Sequence, residues 1–494
     1  MFTGDCLEVM RAIPDCTYHA IVTDPPYGLS EPLVGEDAAA VLAAWIAEGV
    51  HVRTKGRKKP AKPGGTDATS QLAGGGFMGA EWDAFVPGPR VWAELLRVTR
   101  PGGYAIVAGG TRTSMWTAIA MMLAGWEVLD EVAEWHYAEG FPKGGNAGER
   151  VDEHLGASRE KVAGQYTSRK PNGSAGVTSV GLSEQAGHLV GQDPATAEGA
   201  IYDDTSTTLK PAREPWIVAR RPLSEKNVAV NLLKWRTGVL HVGACRIGTE
   251  GGQRKLEIRD GKNSATYAGL NTGNPATPID GPGRWPANVM FSHAEGCEDG
   301  ACVRGCPVRE LDEQSGERKS GSRAAGVYGQ REAGDGRLYM PCAPRPQEEI
   351  RGSTGGASRF FFSAKASPKD RREGLPEDLP RDREHKTVKP VPLMRELVRL
   401  VCPREAEGLR WIRREDGAWT EDLPHDSLGT AGRVLDPFGG SGSTGAAAAL
   451  EGVLCDVVER DEAFARDLCA PRIRRALELH AAGECPKHWR RRGA

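Results

Sequence analysis

The sequence predicts an α/β fold built around a mostly parallel sheet, and three observations predict it. Short apolar runs typical of buried strands alternate with segments of helical periodicity between residues 91 and 135. A strand, turn and helix pattern occurs near the other end of the chain, at 434–450, and a further strand follows at 453–459. The chain contains 63 Gly and 33 Pro, which indicates long connections. This alternation is typical of a doubly wound, Rossmann-like sheet.

Length and charge limit the classes of protein to consider. A chain of 494 residues exceeds the size at which one core keeps growing, so we expect a single fold with a large insertion or two domains. The formal net charge of −2 gives no overall basic signal, so a face that binds nucleic acid would need local clusters. Basic clusters at 53–62 and 490–492 fit phosphate contact as well as a solvated loop or tail.

Targeting signals and cysteine usage favour the cytoplasm. No apolar run approaches the ~20 residues that cross a bilayer, and the N-terminus resembles no signal peptide. We therefore expect a cytoplasmic protein with no membrane partner. The 11 cysteines of such a chain favour free thiols or metal ligands over a disulfide framework.

The first motif with chemical content is a rigid loop at the end of a predicted strand. The apolar run at 20–22 leads into Thr23-Asp24-Pro25-Pro26-Tyr27, whose two prolines fix φ near about −65° and leave carbonyl groups as acceptors. Such a loop suits an aromatic primary amine. The Asp24 carboxylate and the Pro25 carbonyl can accept its two hydrogens, while Tyr27 and Pro26 hold the ring. This motif alone also fits a tight turn after a strand.

The second motif is a glycine-rich turn near the other end of the chain. Residues 434–445 combine an apolar strand, the turn Asp436-Pro437-Phe438-Gly439-Gly440-Ser441-Gly442 and the start of a helix. Glycines let the backbone approach a ligand closely, and the N–H groups at a helix start favour a carboxylate or phosphate. The next predicted strand ends in Glu459, and a carboxylate there commonly accepts hydrogen bonds from ribose hydroxyls. The glycines alone would fit any βα turn.

Together the two motifs resemble the DNA amino-methyltransferases, which transfer a methyl group from S-adenosylmethionine to adenine N6 or cytosine N4. Asp-Pro-Pro-Tyr matches the catalytic motif of that family, and Asp-Pro-Phe-Gly-Gly matches its cofactor loop. The catalytic loop comes first in this chain. That order resembles the β group, in which the Rossmann-like methyltransferase fold is circularly permuted. The phrases at 140–143 and 360–367 are similar to phage- and prophage-type enzymes.

The resemblance implies roles for residues near both ends of the chain. The catalytic residues that it implies are Asp24, Pro25, Pro26 and Tyr27. The residues that it assigns to the cofactor are Asp5, Cys6, Thr387, Lys389, Asp436, Phe438, Gly440, Gly442, Thr444 and Glu459. Among these, Asp5 and Cys6 stand where the family contacts adenine, and Thr387 and Lys389 where it binds the methionine carboxylate. A helix cap at Asp5 and a plain helix start near Thr387 are the alternatives.

The motifs divide the chain into three parts. We expect 1–144 to form the catalytic half of the methyltransferase domain, with a lid-like loop at about 30–80, and 360–494 to form the cofactor-binding half. Residues 145–359 stand where the β group carries a large target-recognition insertion. Their polar, glycine-rich composition over 145–210 predicts loops. The composition of 30–80 fits a disordered connection equally well.

Local patterns predict individual elements between the motifs. The predicted helices are at 38–48, 91–99, 113–124, 227–235 and 392–401, and the predicted strands at 104–108, 126–135, 209–220 and 360–365. Residues 285–291 form a further apolar segment. Pro101-Gly102-Gly103 predicts a break between the second helix and the strand that follows it.

A cluster of soft metal ligands lies within the predicted insertion. His293, Cys297, Cys302 and Cys306 follow one another at short spacing, and imidazole with thiolates can form a tetrahedral zinc site. The cluster lacks a paired C-x2-C, so ordinary loop cysteines are the alternative. A metal would supply folding free energy to a segment with little core.

The resemblance implies site-specific methylation of a flipped base in double-stranded DNA, at adenine N6 above all, because Asp in the first motif position is commoner in the adenine enzymes. Cytosine N4, an amine of RNA or protein, and a non-catalytic DNA-binding module are the alternatives. Cytosine C5 would need a nucleophilic cysteine, and Cys342 lies in loop-like sequence. The family also suggests a homodimer and a cognate restriction nuclease as partners.

Overall fold

A mixed sheet forms the centre of this computed structural model, and within the described residues it has ten strands. The structure describes residues 1–28, 35–47, 86–129, 133–137, 145–159, 193–247, 284–294, 296–297, 301–319, 326–328, 345–347, 354–365, 368–380, 383, 385, 387–403, 412–413, 419–420 and 432–489.

The strands follow the predicted apolar runs and add short hairpins. In chain order they are β1 (Phe2–Thr3), β2 (Tyr18–Thr23), β3 (Thr99–Ala108), β4 (Glu127–Val128), β5 (Ala133–His136), β6 (Arg213–Arg220), β7 (Val289–His293), β8 (Arg318–Lys319), β9 (Gly326–Tyr328), β10 (Arg345–Gln347), β11 (Thr354–Gly355), β12 (Phe362–Lys365), β13 (Ile412–Arg413), β14 (Trp419–Thr420), β15 (Arg433–Asp436) and β16 (Leu454–Glu459).

The main sheet has the order β1-β16-β15-β2-β3-β6-β5-β7-β12, with β4 also beside β6. Its neighbours run parallel except at β6, which is antiparallel to β3, β4 and β5. The remaining strands form the antiparallel pairs β9 with β10, β8 with β11 and β13 with β14. Among the described residues, β6 is therefore the one strand of the main sheet that runs opposite to the others.

Strand direction decides which residues meet at the edge of the sheet where the parallel strands end, called the functional edge below. The carboxyl ends of parallel strands lie at the same edge, so Thr23, Asp436, Glu459 and His293 end their strands there. Because β6 runs the other way, its first residues, beginning at Arg213, lie at that edge too. The edge therefore gathers side chains from both ends of the chain and from its middle.

The strands that carry the two sequence motifs are neighbours. Residues 20 and 21 of β2 pair in parallel with residues 434 and 435 of β15. Where the two strands end, Thr23 Oγ1 donates a hydrogen bond of 2.6 Å to Asp436 Oδ1, across a separation of 413 positions in the sequence. Both side chains are buried, so this contact joins the two motifs inside the protein.

Helices cover both faces of the sheet. In chain order they are α1 (Cys6–Arg11), α2 (Gly35–Ala47), α3 (Pro89–Val98), α4 (Ser114–Leu123), α5 (Ala147–His154), α6 (Ala197–Ile201), α7 (Val228–Trp235), α8 (Pro307–Ser315), α9 (Pro368–Arg372), α10 (Val391–Val401), α11 (Ser443–Leu450), α12 (Glu462–Phe464) and α13 (Ala470–Ala481). A π-helical segment, Ala465–Cys469, joins α12 to α13.

Two apolar cores lie on opposite faces, as the alternation of side chains along a strand requires. Ala20 and Val22 of β2 face the core built with α10, α11 and α13. Ile21, between them, faces the core built with α3 and α4. Because all six residues of β2 are buried, the strand reads in the sequence as a continuous apolar run rather than an alternating one.

The helix ends before Pro101, at Val98, but β3 begins at Thr99 instead of residue 104 and runs through residues 101–103. Asn231 Nδ2 and Thr237 Oγ1 both donate hydrogen bonds to the Pro101 carbonyl, and the Gly102 N–H donates to the Arg221 carbonyl. These partners lie more than 100 positions away in the sequence, so the local pattern carries no sign of them.

The prediction of loops over 145–210 is wrong where α5 and α6 form. Asn146 and Thr196 cap these two short helices. The buried Asp152 joins them by accepting hydrogen bonds from Arg159 Nε at 2.6 Å and from the Thr196 N–H at 3.0 Å. The helices are short and polar, so their apolar periodicity is too weak to predict them.

The segment predicted as an insertion, 145–359, also contributes to the main sheet. Strand β6 lies between β3 and β5, and β7 lies between β5 and β12. Most of the predicted lid at 30–80 lies outside the described residues, apart from α2 within it. The basic clusters at 53–62 and 490–492, and Cys342, also lie outside them.

No helix within the described ranges is both long and apolar enough to cross a membrane.

Replacement of Thr23 by valine should destabilise the protein, because Asp436 would lose a buried hydrogen bond. We expect the free energy of unfolding to fall by about 1–3 kcal/mol, the usual loss for a buried polar group that loses its partner. Thr205→Val is the matched control, since the Thr205 hydroxyl donates an exposed hydrogen bond of 2.6 Å. Its effect should stay within about 0.5 kcal/mol. Urea unfolding measures the free energy of unfolding of both variants. Equal losses of stability in the two variants would contradict the importance of the Thr23 hydrogen bond.

Candidate functional site

The loop Asp24-Pro25-Pro26-Tyr27 leaves the carboxyl end of β2 and is fastened to the connection after β3. The Thr113 hydroxyl donates a hydrogen bond to the Tyr27 carbonyl. Pro25 is buried, whereas Asp24 and Pro26 are half-buried. The loop therefore holds a carboxylate and an aromatic ring in fixed positions at the functional edge of the sheet.

Asp24 belongs to a cluster of charged side chains. Lys389 Nζ lies 2.8 Å from Asp24 Oδ2 and 3.4 Å from Glu214 Oε1. It also lies 5.1 Å from the centre of the Tyr27 ring, at a distance that permits a cation–π interaction. The Lys389 side chain is 7% exposed and that of Glu214 is 12% exposed. One buried cation is thus shared by two carboxylates and an aromatic face.

Burial and mutual charge shift the pKa values in this cluster. The pKa of Glu214 is raised to about 7, chiefly by burial, although Lys389 opposes the shift and Asp24 adds to it. Burial lowers the pKa of Lys389, but the two carboxylates outweigh burial and the net shift is upward. Burial, Asp24 and Glu214 together raise the pKa of Tyr27 well above its ordinary value. At neutral pH, Lys389 is therefore charged, Tyr27 is protonated, and Glu214 is poised between its two forms.

Sequence reasoning missed Glu214 as a functional residue. It was predicted only as part of a strand, and the structure places it near the start of β6. Because β6 is antiparallel to β3, its first residues point toward the Asp24 loop instead of away from it. The sequence shows a charged residue at the start of an otherwise apolar strand, which was the available signal. It does not show the direction in which that strand runs in the sheet.

Asp436 is a buried carboxylate between the two motifs. Its side chain is 2% exposed, and Oδ1 accepts hydrogen bonds from Thr23 Oγ1 at 2.6 Å and from the Phe438 N–H at 3.2 Å. Thr444, which is buried too, also donates to this carboxylate. Burial raises the pKa of Asp436 to about 6 against the effect of these donors. Asp436 therefore links the two motifs inside the protein.

The glycine-rich turn is held against β16. The Gly440 N–H donates a hydrogen bond of 2.6 Å to Glu459 Oε2, and the Asp461 N–H donates one of 2.8 Å to Glu459 Oε1. Gly442 begins α11 with φ of +77°, a conformation that favours glycine. Phe438 is half-buried beside this turn. Each carboxylate oxygen has two lone pairs, so Glu459 can hold the turn and accept from a ligand as well.

His385 is a second residue that sequence reasoning left without a role. A Cβ placed on Gly440 would lie 3.1 Å from His385 Nε2, so the imidazole packs directly on the glycine turn. The ring also makes an edge contact with Phe464, with their centres 5.5 Å apart. Burial lowers the pKa of His385 to about 4, so the imidazole is neutral at neutral pH. The segment from His385 to Lys389 therefore contacts both motifs, since Ser443 Oγ also donates to the Lys389 carbonyl at 2.8 Å.

The remaining residues assigned to the cofactor lie around this edge. Asp5 caps α1, with Oδ1 accepting from the Leu7 N–H at 2.9 Å. Cys6 follows it, and burial raises the pKa of its thiol to about 12. The Gly4 N–H donates to the Glu459 carbonyl, which brings this turn beside the end of β16. Thr387 is exposed, and its N–H donates to His385 Nδ1 at 3.3 Å.

The predicted metal ligands come together in space. The ligand atoms of His293, Cys297, Cys302 and Cys306 all lie within 4.8 Å of one another.

One protein-family model matches part of the chain. Residues 313–467 match the N6/N4 family model described as DNA methylase. This segment includes Lys389, the glycine-rich turn and Glu459. No curated protein matches the chain in sequence.

Several solved structures are similar over most of their length, with low identity. TTHA0409 of Thermus thermophilus, assigned as a DNA modification methylase, is 13% identical, with 96% of this chain and 94% of that chain covered and a TM-score of 0.31. M1.HpyAVI in complex with SAM is 10% identical, with 96% and 97% covered and a TM-score of 0.30. The cytosine-N4-specific PvuII DNA methyltransferase is 10% identical, with 98% and 92% covered and a TM-score of 0.35.

The family match covers the glycine-rich turn, and the fold brings the Asp-Pro-Pro-Tyr loop to the same edge of the sheet. The match to the N6/N4 DNA methylase model over residues 313–467 supports an S-adenosylmethionine-dependent DNA amino-methyltransferase.

Proposed function

We propose that the protein methylates adenine N6 of a base that is flipped out of duplex DNA, with Asp24 and the Pro25 carbonyl as the acceptors that orient the amine. The observation that carries this proposal is the ion-paired cluster of Asp24, Lys389 and Glu214 beside the Tyr27 ring. A base inside the stack cannot reach these groups, so extrusion at a cost of a few kcal/mol is required.

The ion pair of Asp24 with Lys389 supports this role. An exocyclic amine is a weak nucleophile because its lone pair is delocalised into the ring. An acceptor that holds its hydrogens favours a pyramidal nitrogen with a localised lone pair. Lys389 Nζ lies 2.8 Å from Asp24 Oδ2, and carboxylate oxygens of Asp24 can accept the hydrogens of the amine. Asp24 can also stabilise the positive charge that develops on the nitrogen as it forms its new bond.

Glu214 acts as a positioning residue for Asp24 through Lys389. When Glu214 is ionised, Lys389 divides its charge between two carboxylates, and Asp24 is freer to accept from the amine. When Glu214 is protonated, Lys389 pairs with Asp24 alone. The separations of 2.8 Å and 3.4 Å show that Lys389 reaches both carboxylates without moving.

The residues around the glycine-rich turn fit S-adenosylmethionine. Gly440 and Gly442 keep the turn free of side chains, while Glu459 has lone pairs for the ribose hydroxyls. Residues along the same edge would hold the remaining parts of the cofactor. Asp5 and Cys6 would contact its adenine, and Phe438 would pack on the face of that ring. Thr387 and Thr444 would contact the end of the cofactor that lies near the helix starts. When bound, the cofactor supplies an electrophilic methyl group on a sulfonium. The chain contributes orientation, which can save ~7–11 kcal/mol of barrier.

Adenine N6 is the proposed target, and cytosine N4 is the second candidate. The first residue of the catalytic motif is Asp24, the residue type commoner in the adenine enzymes. The matched family model spans both N6 and N4 enzymes, which keeps the second candidate open. Tritiated S-adenosylmethionine, offered with duplex DNA, RNA or protein, should label only the DNA. Digestion should yield N6-methyladenine; label confined to RNA, to protein or to N4-methylcytosine would overturn the proposal.

Several broader features also remain proposals. We propose that the described parts of 145–359 outside β6 and β7 belong to a target-recognition region, and that the order of motifs reflects a circular permutation. A homodimer and a cognate restriction nuclease complete this picture of a site-specific enzyme. Light scattering on the purified chain tests the dimer, which a monomeric mass at micromolar concentration would contradict.

Asp24→Ala should abolish methyl transfer and preserve cofactor binding. We expect the turnover number to fall by about 10²–10³-fold or more, because the amine loses a charged acceptor. The affinity for S-adenosylmethionine, measured by calorimetry, should change little. Asp15→Ala is a control, since Asp15 is 72% exposed and pairs with Arg97 away from the site. Undiminished transfer, or loss of cofactor binding, would contradict the assigned role.

The pH dependence of the turnover number should reveal Glu214. Its pKa is raised to about 7, so it loses its proton as the pH rises through 7, and Asp24 then becomes freer to accept from the amine. The rate should rise over the same interval. Glu214→Gln fixes the neutral form, so this rise should disappear, and the rate at high pH should be roughly tenfold lower, equal to about 1.4 kcal/mol at the barrier.

Rates over about pH 6–8.5 at saturating substrates measure this effect. An unchanged rise in Glu214→Gln would show that another group titrates. Unchanged cofactor affinity in the same variant would separate positioning of Asp24 from loss of the fold.

A further inference from the structure

Four soft ligands that take no part in the proposed catalytic cluster meet at the end of β7. His293 is the last residue of β7, Cys306 precedes the first residue of α8, and Cys297 and Cys302 lie between them. His293 Nδ1 lies 3.3 Å from Cys302 Sγ and 3.6 Å from Cys306 Sγ. All four ligand atoms lie within 4.8 Å of one another.

These separations are close to those of an occupied tetrahedral zinc site. Zn–S bonds of about 2.3 Å and Zn–N bonds of about 2.0–2.1 Å place neighbouring ligand atoms about 3.5–3.8 Å apart. The three thiols are free rather than joined in a disulfide. A metal would therefore need only a small contraction of the cluster.

Two similar turns direct cysteines toward the centre of this cluster. The Cys297 N–H donates to the Ala294 carbonyl at 3.2 Å, and the Cys306 N–H donates to the Val303 carbonyl at 3.3 Å. A glycine with positive φ precedes each cysteine, Gly296 at +90° and Gly305 at +80°. The same turn geometry therefore occurs twice, nine positions apart. A chance meeting of loop cysteines does not account for that repetition.

Burial favours a bound ion over unliganded thiols. Cys306 is 0% exposed, Cys297 is 2% and His293 is 5%. The only other buried hydrophobic residue described in this cluster is Val308. So small an apolar cluster supplies little folding free energy, whereas a structural zinc ion supplies about 10–16 kcal/mol in small domains.

We propose that His293, Cys297, Cys302 and Cys306 bind a zinc ion in a closed site with four protein ligands. Such a site leaves no position for substrate, so its role is structural. It fixes the start of α8 against the end of β7. Asp312 of α8 in turn accepts hydrogen bonds from the Ser358 N–H at 2.8 Å and hydroxyl at 2.6 Å, just before β12. The metal thereby anchors the outer strands of the sheet.

Metal content tests this proposal directly. The full chain, purified under reducing conditions and dialysed against metal-free buffer, should retain about one zinc ion per molecule by mass spectrometry. The double variant Cys302→Ser, Cys306→Ser should retain almost none. Cys245→Ser is the matched control, because Cys245 is buried outside the cluster and should leave the zinc content unchanged. Equal zinc in the wild type and the double variant would overturn the proposal.

Cobalt gives a readout that does not depend on the variant folding. Wild-type protein reconstituted with Co²⁺ should show thiolate-to-metal charge transfer and the intense visible bands of tetrahedral coordination. Weak octahedral bands, or none, would contradict the proposed site. Neither measurement uses methyl transfer, so failure here leaves the proposed reaction standing, and a failed transfer assay leaves the metal site standing.

Discussion

The parallel pairing of β2 with β15 is the constraint on which the site depends. It places a loop near residue 24 beside a turn near residue 438, although most of the chain lies between them. The Thr23–Asp436 hydrogen bond closes the pair at its functional end. A slip of one residue along either strand would turn its buried side chains to the opposite face, so the two apolar cores fix this register as firmly as the hydrogen bonds do.

Charge within the cleft is balanced across three distant segments. Asp24 comes from the start of the chain, Glu214 from its middle and Lys389 from the segment before α10. Removing one member would leave another charge buried and unpaired, which costs far more than an exposed ion pair contributes. The three segments are therefore coupled electrostatically, and a change in the ionisation of Glu214 alters Asp24 without a change in the backbone.

Continuous apolar runs and local motifs made much of the fold predictable. The strand before Asp24 is buried along its whole length, and the helix at Val391–Val401 presents an apolar stripe, so each follows from local sequence. Partners remote in sequence were not predictable. Strand β3 continues through Pro101 because Asn231 and Thr237 satisfy its carbonyl group. Helices α5 and α6 depend on the buried Asp152 rather than on an apolar periodicity.

The same distinction applies to the candidate site. The Asp24 loop and the glycine turn are local motifs with recognisable spacing. Glu214 reaches the cleft because β6 is reversed, and His385 reaches Gly440 because the loop before α10 folds over the turn. Neither fact is encoded in a window of a few residues. The metal cluster was visible as four ligands, but its compactness follows from two turns that the spacing alone did not specify.

A crystal structure with S-adenosylhomocysteine bound would test the shared cleft most directly. The account predicts the nucleoside beside Glu459 and the glycine-rich turn, with the sulfur facing the loop that holds Asp24 and Tyr27. A ligand bound elsewhere, or with its sulfur turned away from Asp24, would contradict it.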